Sequence, residues 1–307
     1  MTIPSNGYPP PPPGKWGWPW TEYCAAVPPF MPDGRPWPRI SIVTPSYDQG
    51  KYLEETIRSV LQQNYPNLEY FILDGGSTDN SVEIIRKYER WLTFWSSGKD
   101  GGQVDAINKG LAQCSGEITS WLNSDDHYRQ DALRHAAEAF DPEGTHQIVI
   151  GERYNIGEDG SCLNRQTIGR SPVTRFQVLY MGRWPFYQES VFFRRELWEK
   201  VGGLSDTYQL LFDFDFFLRC LKYTNAKTLP GTALGSWRHH PLQKVNPAGE
   251  RLVKAEIDAI YRKYRSTFVH TWMTNILWSL GRRTVCKDDL TLAETADDYR
   301  CLPHEIK

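Results

Sequence analysis

Apolar residues follow two rhythms along this chain. Short unbroken runs, such as Ile40-Ser41-Ile42-Val43-Thr44, Phe71-Ile72-Leu73 and Gln147-Ile148-Val149-Ile150, have the length and β-branching of buried strands. Between them the spacing widens to a helical period: Leu53, Ile57, Val60 and Leu61 share one face. The pattern predicts strands at 40–44, 69–73, 117–122 and 147–150, with a short one at 93–95. Helices are expected near 51–63, 80–90, 103–113 and 130–140. Alternation at this spacing requires right-handed crossovers, hence an α/β fold with a mostly parallel sheet and helices on both faces.

After Gly151 the rhythm breaks. A hairpin is expected over 152–165 around Glu158-Asp159-Gly160, then a helix near 173–181, a strand at 190–194 and a short helix at 195–201. The apolar and acidic stretch 211–222 reads as helical, 227–238 as two short strands, and 249–282 as helices. No internal repeat is visible. Ahead of the first strand lies a leader, 1–38, with an unbroken Pro9–Pro13 run followed by Trp16, Trp18 and Trp20. Polyproline is extended and has no core of its own, yet three large rings gain little from staying in water. The leader is therefore expected to lie across the globular body or across a second copy of the chain.

Composition narrows the partners. A formal net charge of −2 over 307 residues gives no bulk attraction to nucleic acid or anionic lipid. Cys24, Cys114, Cys162, Cys220, Cys286 and Cys301 are scattered, with neither a CxxC nor interleaved His, so no zinc site or disulfide framework follows. No charged segment followed by an apolar run opens the chain, and no stretch reaches ~20 apolar residues, so a cytoplasmic location is expected. One membrane clue is the face formed by Trp272, Ile276, Leu277, Trp278 and Leu280, which ends in Arg282 and Arg283 and would suit peripheral contact.

The chemistry gathers at strand exits. Trp121-Leu122 runs into Asn123-Ser124-Asp125-Asp126, and paired carboxylates at the carboxyl edge of an open sheet can hold a divalent cation. Hard oxygen ligands of this kind suit Mg²⁺ or Mn²⁺. Strand one exits through Thr44-Pro45-Ser46-Tyr47, where proline is expected to end the ladder and a tyrosine can lie flat on a nucleobase. Strand two exits through Asp74-Gly75-Gly76-Ser77-Thr78-Asp79, where Asp74 can accept a base N–H. Within 97–110, Gly101 and Gly102 precede a helix whose free N–H groups can meet an anion. Lys99 and Asp100 there could contact base or diphosphate, and Asp105 the ribose or sugar. Three such exits point to a nucleoside diphosphate plus metal, and so to group transfer.

With these motifs in order, the chain over 39–240 resembles the family 2 inverting glycosyltransferases of the GT-A fold. The resemblance implies a nucleotide-sugar half at 39–150, an acceptor and base half at 151–245, and a helical extension at 246–307. It makes Asp126 the metal ligand and sets Asp125 against the ribose or donor sugar. It supports the turn at Pro45 and Asp74 as donor contacts. Phe212-Asp213-Phe214-Asp215-Phe216-Phe217-Leu218-Arg219 is similar to the family segment whose first acid is the base, which implies Asp213; Asp215 would pair with Arg219 one turn on. Arg238-His239-His240 is similar to a segment that closes over the diphosphate, with His240 on the metal and Arg238 and Lys244 on phosphate oxygens. Gln188 and Glu189, polar residues before an apolar strand, are acceptor-site candidates.

One departure stands out: many relatives carry Asp-Asp-Gly-Ser where this chain has Asp74-Gly75-Gly76-Ser77, so one acid is missing. The expected reaction moves a sugar from a nucleoside-diphosphate sugar, a UDP-sugar as first guess, to a glycan, polysaccharide or lipid-linked acceptor. Uracil, guanine and thymine all present an N–H and a carbonyl to such a site. The rival readings are a nucleotidyltransferase on a similar sheet and a non-catalytic sugar-nucleotide or glycan-binding module. No GxGxxG follows strand one, which disfavours a dinucleotide-binding oxidoreductase.

Overall fold

A computed structural model describes residues 7–244 and 249–265 of the chain. The expected face at 272–283, Cys286 and Cys301 lie outside the described residues. Among the described residues nine strands form one sheet: β1 (Ile40–Ser46), β2 (Leu68–Asp74), β3 (Phe94–Ser97), β4 (Ile118–Trp121), β5 (His127–Tyr128), β6 (Ile148–Ile156), β7 (Cys162–Gln166), β8 (Val191–Arg194) and β9 (Ala226–Arg238). Their order is β3-β2-β1-β4-β8-β6-β9-β5, with β7 paired to β6. The first four strands are parallel, β8 runs against β4 and β6, and β9 runs parallel to β6. Consequently β1, β2, β3, β4 and β9 all end at the same edge. A polar site belongs there, because crossover helices cover both faces and leave that edge open.

The helices are α1 (Gly50–Leu61), α2 (Ser81–Tyr88), α3 (Gln103–Gln113), α4 (Ala132–Ala139), α5 (Arg175–Met181), α6 (Arg195–Val201), α7 (Phe212–Cys220) and α8 (Glu250–Tyr264). Strand alternation sorts the core into two clusters. Ile42, Tyr70, Ile72, Val149 and Phe192 bury against α1, α2 and α4, while Val43, Phe71, Leu73, Ile150 and Phe193 bury against α3, α6 and α7. A ring stack of Trp121 on Phe217, 5.8 Å apart and 10° from parallel, ties β4 to the helix carrying Asp213.

The sheet departs from expectation in three places. Residues 227–238, expected as two strands, fall in the single thirteen-residue β9, because the backbone bulges past Pro230-Gly231 and then regains its pairing with β6. Pro45 does not end β1, which stays in parallel register with β2 through Ser46. The two-residue β5 carries no pattern of its own and pairs only because β9 passes beside it.

The leader lies on the body. Trp20, Cys24, Met31 and Trp37 are buried, whereas Trp16 stands out in solvent. Arg58 of α1 organises the contact: its guanidinium donates to the carbonyls of Pro9 (2.9 Å), Trp20 (2.9 Å) and Pro19 (3.4 Å) and to Tyr88 Oη (2.6 Å). A buried arginine must have its donors satisfied, and the extended leader supplies carbonyls that no helix or strand is using.

Candidate active site at the carboxyl edge of the sheet

The turn after β4 carries the acidic pair. Asp126 is 1% exposed, and its Oδ1 accepts the backbone N–H of Arg238 at 3.0 Å. Asn123 Nδ2 donates weakly to Asp126 Oδ2 at 3.4 Å. Beneath the turn, Thr56 Oγ1 on α1 lies 2.9 Å from the Ser124 carbonyl and 2.6 Å from that of Asp126. Burial pushes the Asp126 carboxyl well above the usual carboxylate range, and the charges of Asp125 and Glu189 push it further. Asp125 is more exposed and accepts a hydrogen bond from His240 Nε2 at 2.9 Å.

His240 is held on its own account. Tyr52 lies against its ring at 4.7 Å, its side chain is fully buried, and its Nδ1 has no hydrogen-bond partner among the described residues. The imidazole therefore steadies Asp125. Arg238 needs a correction of role, since its side chain is 1% exposed and turned inward. It pairs with Glu55 at 2.9 Å and donates to the carbonyls of Asp125 (2.9 Å) and Glu158 (3.0 Å). Rather than reaching a phosphate, it pins the hairpin loop and the acidic turn to α1. Burial would raise Glu55, but His127 and Arg238 outweigh it and bring the carboxyl down to about 2.

On the donor side, Thr44 is fully buried and its Oγ1 lies 3.0 Å from Tyr70 Oη, so its side chain serves the sheet and not the cleft. Pro45 is buried in β1, while Tyr47 is 61% exposed just beyond it. Asp74 is 3% exposed and shapes its own turn. Its Oδ2 accepts from Gly76 N (3.1 Å), Ser77 N (3.0 Å) and Ser97 Oγ (2.6 Å), and its Oδ1 accepts from Ser77 Oγ (2.5 Å). Asp100 accepts the Gly102 N–H at 2.8 Å. Asp105 accepts Gly101 N–H at 2.9 Å and pairs with Lys109 at 2.6 Å, so it ties the glycine turn to the start of α3. Lys99 is exposed on the same loop.

A relay of amides joins this side to the acceptor side. Lys244 Nζ donates to Gln103 Oε1 (2.7 Å), Gln103 Nε2 to Asn123 Oδ1 (2.8 Å), and Asn123 Nδ2 to Gln188 Oε1 (3.0 Å). Gln188 then donates to the carbonyl of Trp121 at 2.5 Å. Next to it Glu189 is 3% exposed, and Arg153 approaches its Oε1 no closer than 3.5 Å. Burial raises the Glu189 carboxyl, with Asp125 adding to the rise and Arg153 opposing it. The Arg153 guanidinium is sandwiched near Tyr187 (4.3 Å) and Trp237 (4.6 Å).

Asp213 sits in the first turn of α7. By area it keeps partial exposure, yet desolvation pushes its carboxyl up to about 7, with Glu189 and Glu256 adding to the rise. Asp215, two residues on, is fully buried and satisfied by Arg219 (2.8 Å), Lys263 (3.1 Å) and Tyr264 (2.6 Å). The two acids thus divide into one poised to exchange a proton and one held ionised as structure.

These carboxylates form a negative cluster short of cations: Asp125 and Glu189 both raise Asp126, Glu189 raises Asp213, and Arg238 and Arg153 oppose the rise without cancelling it. That deficit fits a divalent cation. Among the described residues, no three acidic, His or Cys groups converge as a ready ligand set. The protein would therefore offer Asp126 and Asp125 and leave the other positions to water and a diphosphate, as Mg²⁺ sites commonly do. Glu55, Thr56 and Arg153 escaped the sequence reading, which takes Asn123 only as part of the acidic turn. Glu55 offers the one usable signal, an acid inside the helical turn bounded by the apolar positions Leu53 and Ile57.

Comparison with known proteins places this edge in context. Residues 41–203 match Glycosyl transferase family 2. An uncharacterized glycosyltransferase of Mycobacterium tuberculosis is 30% identical over 184 residues, 59% of this chain and 68% of its own. The glycosyltransferase GlyG of Streptococcus pneumoniae is 34% identical over 126 residues, 40% of this chain and 42% of its own. Among solved structures, Staphylococcus aureus TarS 1–349 in complex with UDP-GlcNAc aligns with a TM-score of 0.56 at 21% identity, covering 67% of this chain and 60% of that one. Mannosyltransferase PcManGT of Pyrobaculum calidifontis, in complex with GDP-Man and Mn²⁺, aligns at 0.52 and 19%, covering 86% and 82%. At those identities the structures speak for the GT-A fold alone. The sequence match extends over more than half of the chain, and the chain belongs to glycosyl transferase family 2.

Proposed function

We propose that this chain is a metal-dependent inverting glycosyltransferase that moves a hexosyl group from a nucleoside-diphosphate sugar to a hydroxyl of a glycan, polysaccharide or lipid-linked acceptor. The observation that carries the reading is the division of labour among buried acids. Asp213, with its carboxyl pushed up to about 7, lies in the same electrostatic cluster as the Asp125-Asp126 turn, through Glu189. A base tuned near neutrality is what deprotonation of a sugar hydroxyl requires. Asp213 takes the proton as the acceptor oxygen bonds to the anomeric carbon, and the bond to the diphosphate breaks with its electron pair leaving on the diphosphate. Attack from the face opposite the leaving group inverts the anomeric centre. A divalent cation held by Asp126 and Asp125 would neutralise charge on the departing diphosphate.

The chain's own residues do the rest. Tyr47 offers an exposed ring to a nucleobase, and Lys99 stands on the loop beside it. Gln188 and Glu189 would serve the acceptor side, with the Glu189 charge within reach of Asp213. The nucleotide-sugars named for the TarS and PcManGT complexes, and the Mn²⁺ of the latter, are in keeping with this donor class. Calorimetric titration of UDP, GDP and dTDP, with and without Mn²⁺, tests the reading on wild type and Asp126→Ala. Metal-dependent binding of one diphosphate, lost in the variant, is expected. Absence of binding by any of the three would refute it.

A further inference from the structure

We propose that Asp100, and not Asp74, is the carboxylate that reads the nucleobase of the donor. The inference rests on the donor-site reading above and assigns a specificity residue within it. A carboxylate has about four lone-pair positions. Those of Asp74 are taken by Gly76 N–H, Ser77 N–H, Ser77 Oγ and Ser97 Oγ, and the residue is 3% exposed. Asp74 therefore builds the turn and has little left for a ligand.

Asp100 has the opposite profile. It is partly exposed, and one backbone N–H, that of Gly102, holds its Oδ1 in place at 2.8 Å. A Cβ placed on Gly75 would stand 3.3 Å and 3.4 Å from the two Asp100 oxygens and 3.4 Å from Tyr47 Cδ2. Gly75 thus lies between an exposed aromatic ring and a partly exposed carboxylate. A Cβ at 75 would touch the ring and press lightly on the carboxylate, and a longer side chain would compete for the space between them.

The loop holding Asp100 is tied down on the other side as well. Gly98 N–H donates to the Asp74 carbonyl at 3.0 Å, directly after the pairing of β2 with β3. Gly76 sits at φ +85°, and a Cβ there would meet Lys99 N at 3.2 Å, so the two loops touch backbone to backbone. A base lying on Tyr47 would carry its edge over Gly75 towards Asp100. Uracil and thymine have a ring N–H there between carbonyls, and guanine has one beside its carbonyl. The side chain absent at 75 is what gives the base access to the acid at 100.

The test is calorimetry on the full chain with Mn²⁺. It uses whichever of UDP, GDP or dTDP binds wild type, and the same diphosphate methylated at the ring nitrogen. Wild type is expected to bind the methylated diphosphate roughly ten- to a hundredfold more weakly, the range for a charge-assisted hydrogen bond. Asp100→Ala is expected to lose about the same factor for the parent diphosphate and to stop discriminating between the two. Should Asp100→Ala not fold, Asp100→Asn takes its place, with weakened discrimination expected. Tyr47→Ala is expected to weaken both ligands alike. An Asp100 variant that binds like wild type, or still rejects the methylated base, would overturn the proposal while leaving the donor reading intact. A wild type that binds no diphosphate would overturn both.

Discussion

Replacing Asp213 by Asn separates a tuned base from an acid that is merely buried. Its carboxyl is raised from 3.8 to about 7 in the folded chain, chiefly by desolvation. The native state therefore holds a proton that the unfolded chain has lost between those values. The favourable contribution is complete below about pH 4 and disappears as pH rises through 7. From pH 5 to pH 8 the charged carboxylate costs roughly two further pKa units, ~2.7 kcal/mol at 1.36 kcal/mol per unit. Partial exposure trims this to about 2 kcal/mol. Asn cannot ionise, so the melting temperature of Asp213→Asn should exceed that of wild type by a margin that widens between pH 5 and pH 8. The widening should be on the order of 4–8 °C. Meanwhile kcat should fall roughly 10²–10⁴-fold, and the acidic limb of the wild-type rate profile, centred near pH 7, should vanish. Melting curves at the two pH values and initial rates of diphosphate release provide both readouts. A margin independent of pH would refute the perturbed carboxyl, and a stabilised variant with near-normal kcat would make Asp213 structural.

Two other perturbations probe what positions the site. Glu256 of α8 accepts the N–H groups of Gln209 (2.7 Å), Leu210 (3.0 Å) and Leu211 (2.9 Å) just ahead of α7. Glu256→Ala should cost about 3 kcal/mol in denaturant titration. It should also move the acidic limb of the rate profile downward, because Asp213 loses a negative neighbour. An unmoved limb would show that Glu256 does not act on Asp213. Arg58→Ala should destabilise by about 3 kcal/mol and speed proteolytic cleavage within residues 7–38, and unchanged protection would refute the clamp.

Much of the fold was legible because its central strands are buried on both faces. Strands like β1, β2 and β6 read as continuous apolar runs whatever else surrounds them. What escaped depends on partners distant in sequence. β5 exists only beside β9, and β9 stays whole across Pro230-Gly231 only because β6 takes up the pairing again beyond the bulge. The site divides the same way. Asp125, Asp126 and Asp213 announce themselves as acids beside apolar stretches; the first two follow β4 at the open edge, and Asp213 opens α7 within electrostatic reach of Glu189. Arg238 does not reveal its role, since an arginine at a strand end reads equally as a phosphate ligand or as the partner of Glu55, 183 positions earlier. Asp74 misled for a related reason: nothing in one sequence shows that four nearby donors already occupy its oxygens.

The leader looks dispensable by motif, since the first strand opens only at Ile40. Along α1, however, Arg58 grips the leader, while Glu55 and Thr56, within one turn of it, hold Arg238 and the acidic turn. One helix therefore has the proline-rich strap on one side and the acidic turn on the other. Trimming the chain to its family-matching region would remove a brace one helix away from the chemistry. A chain cut to begin at its first strand is expected to hold its acids less firmly in register than the full one.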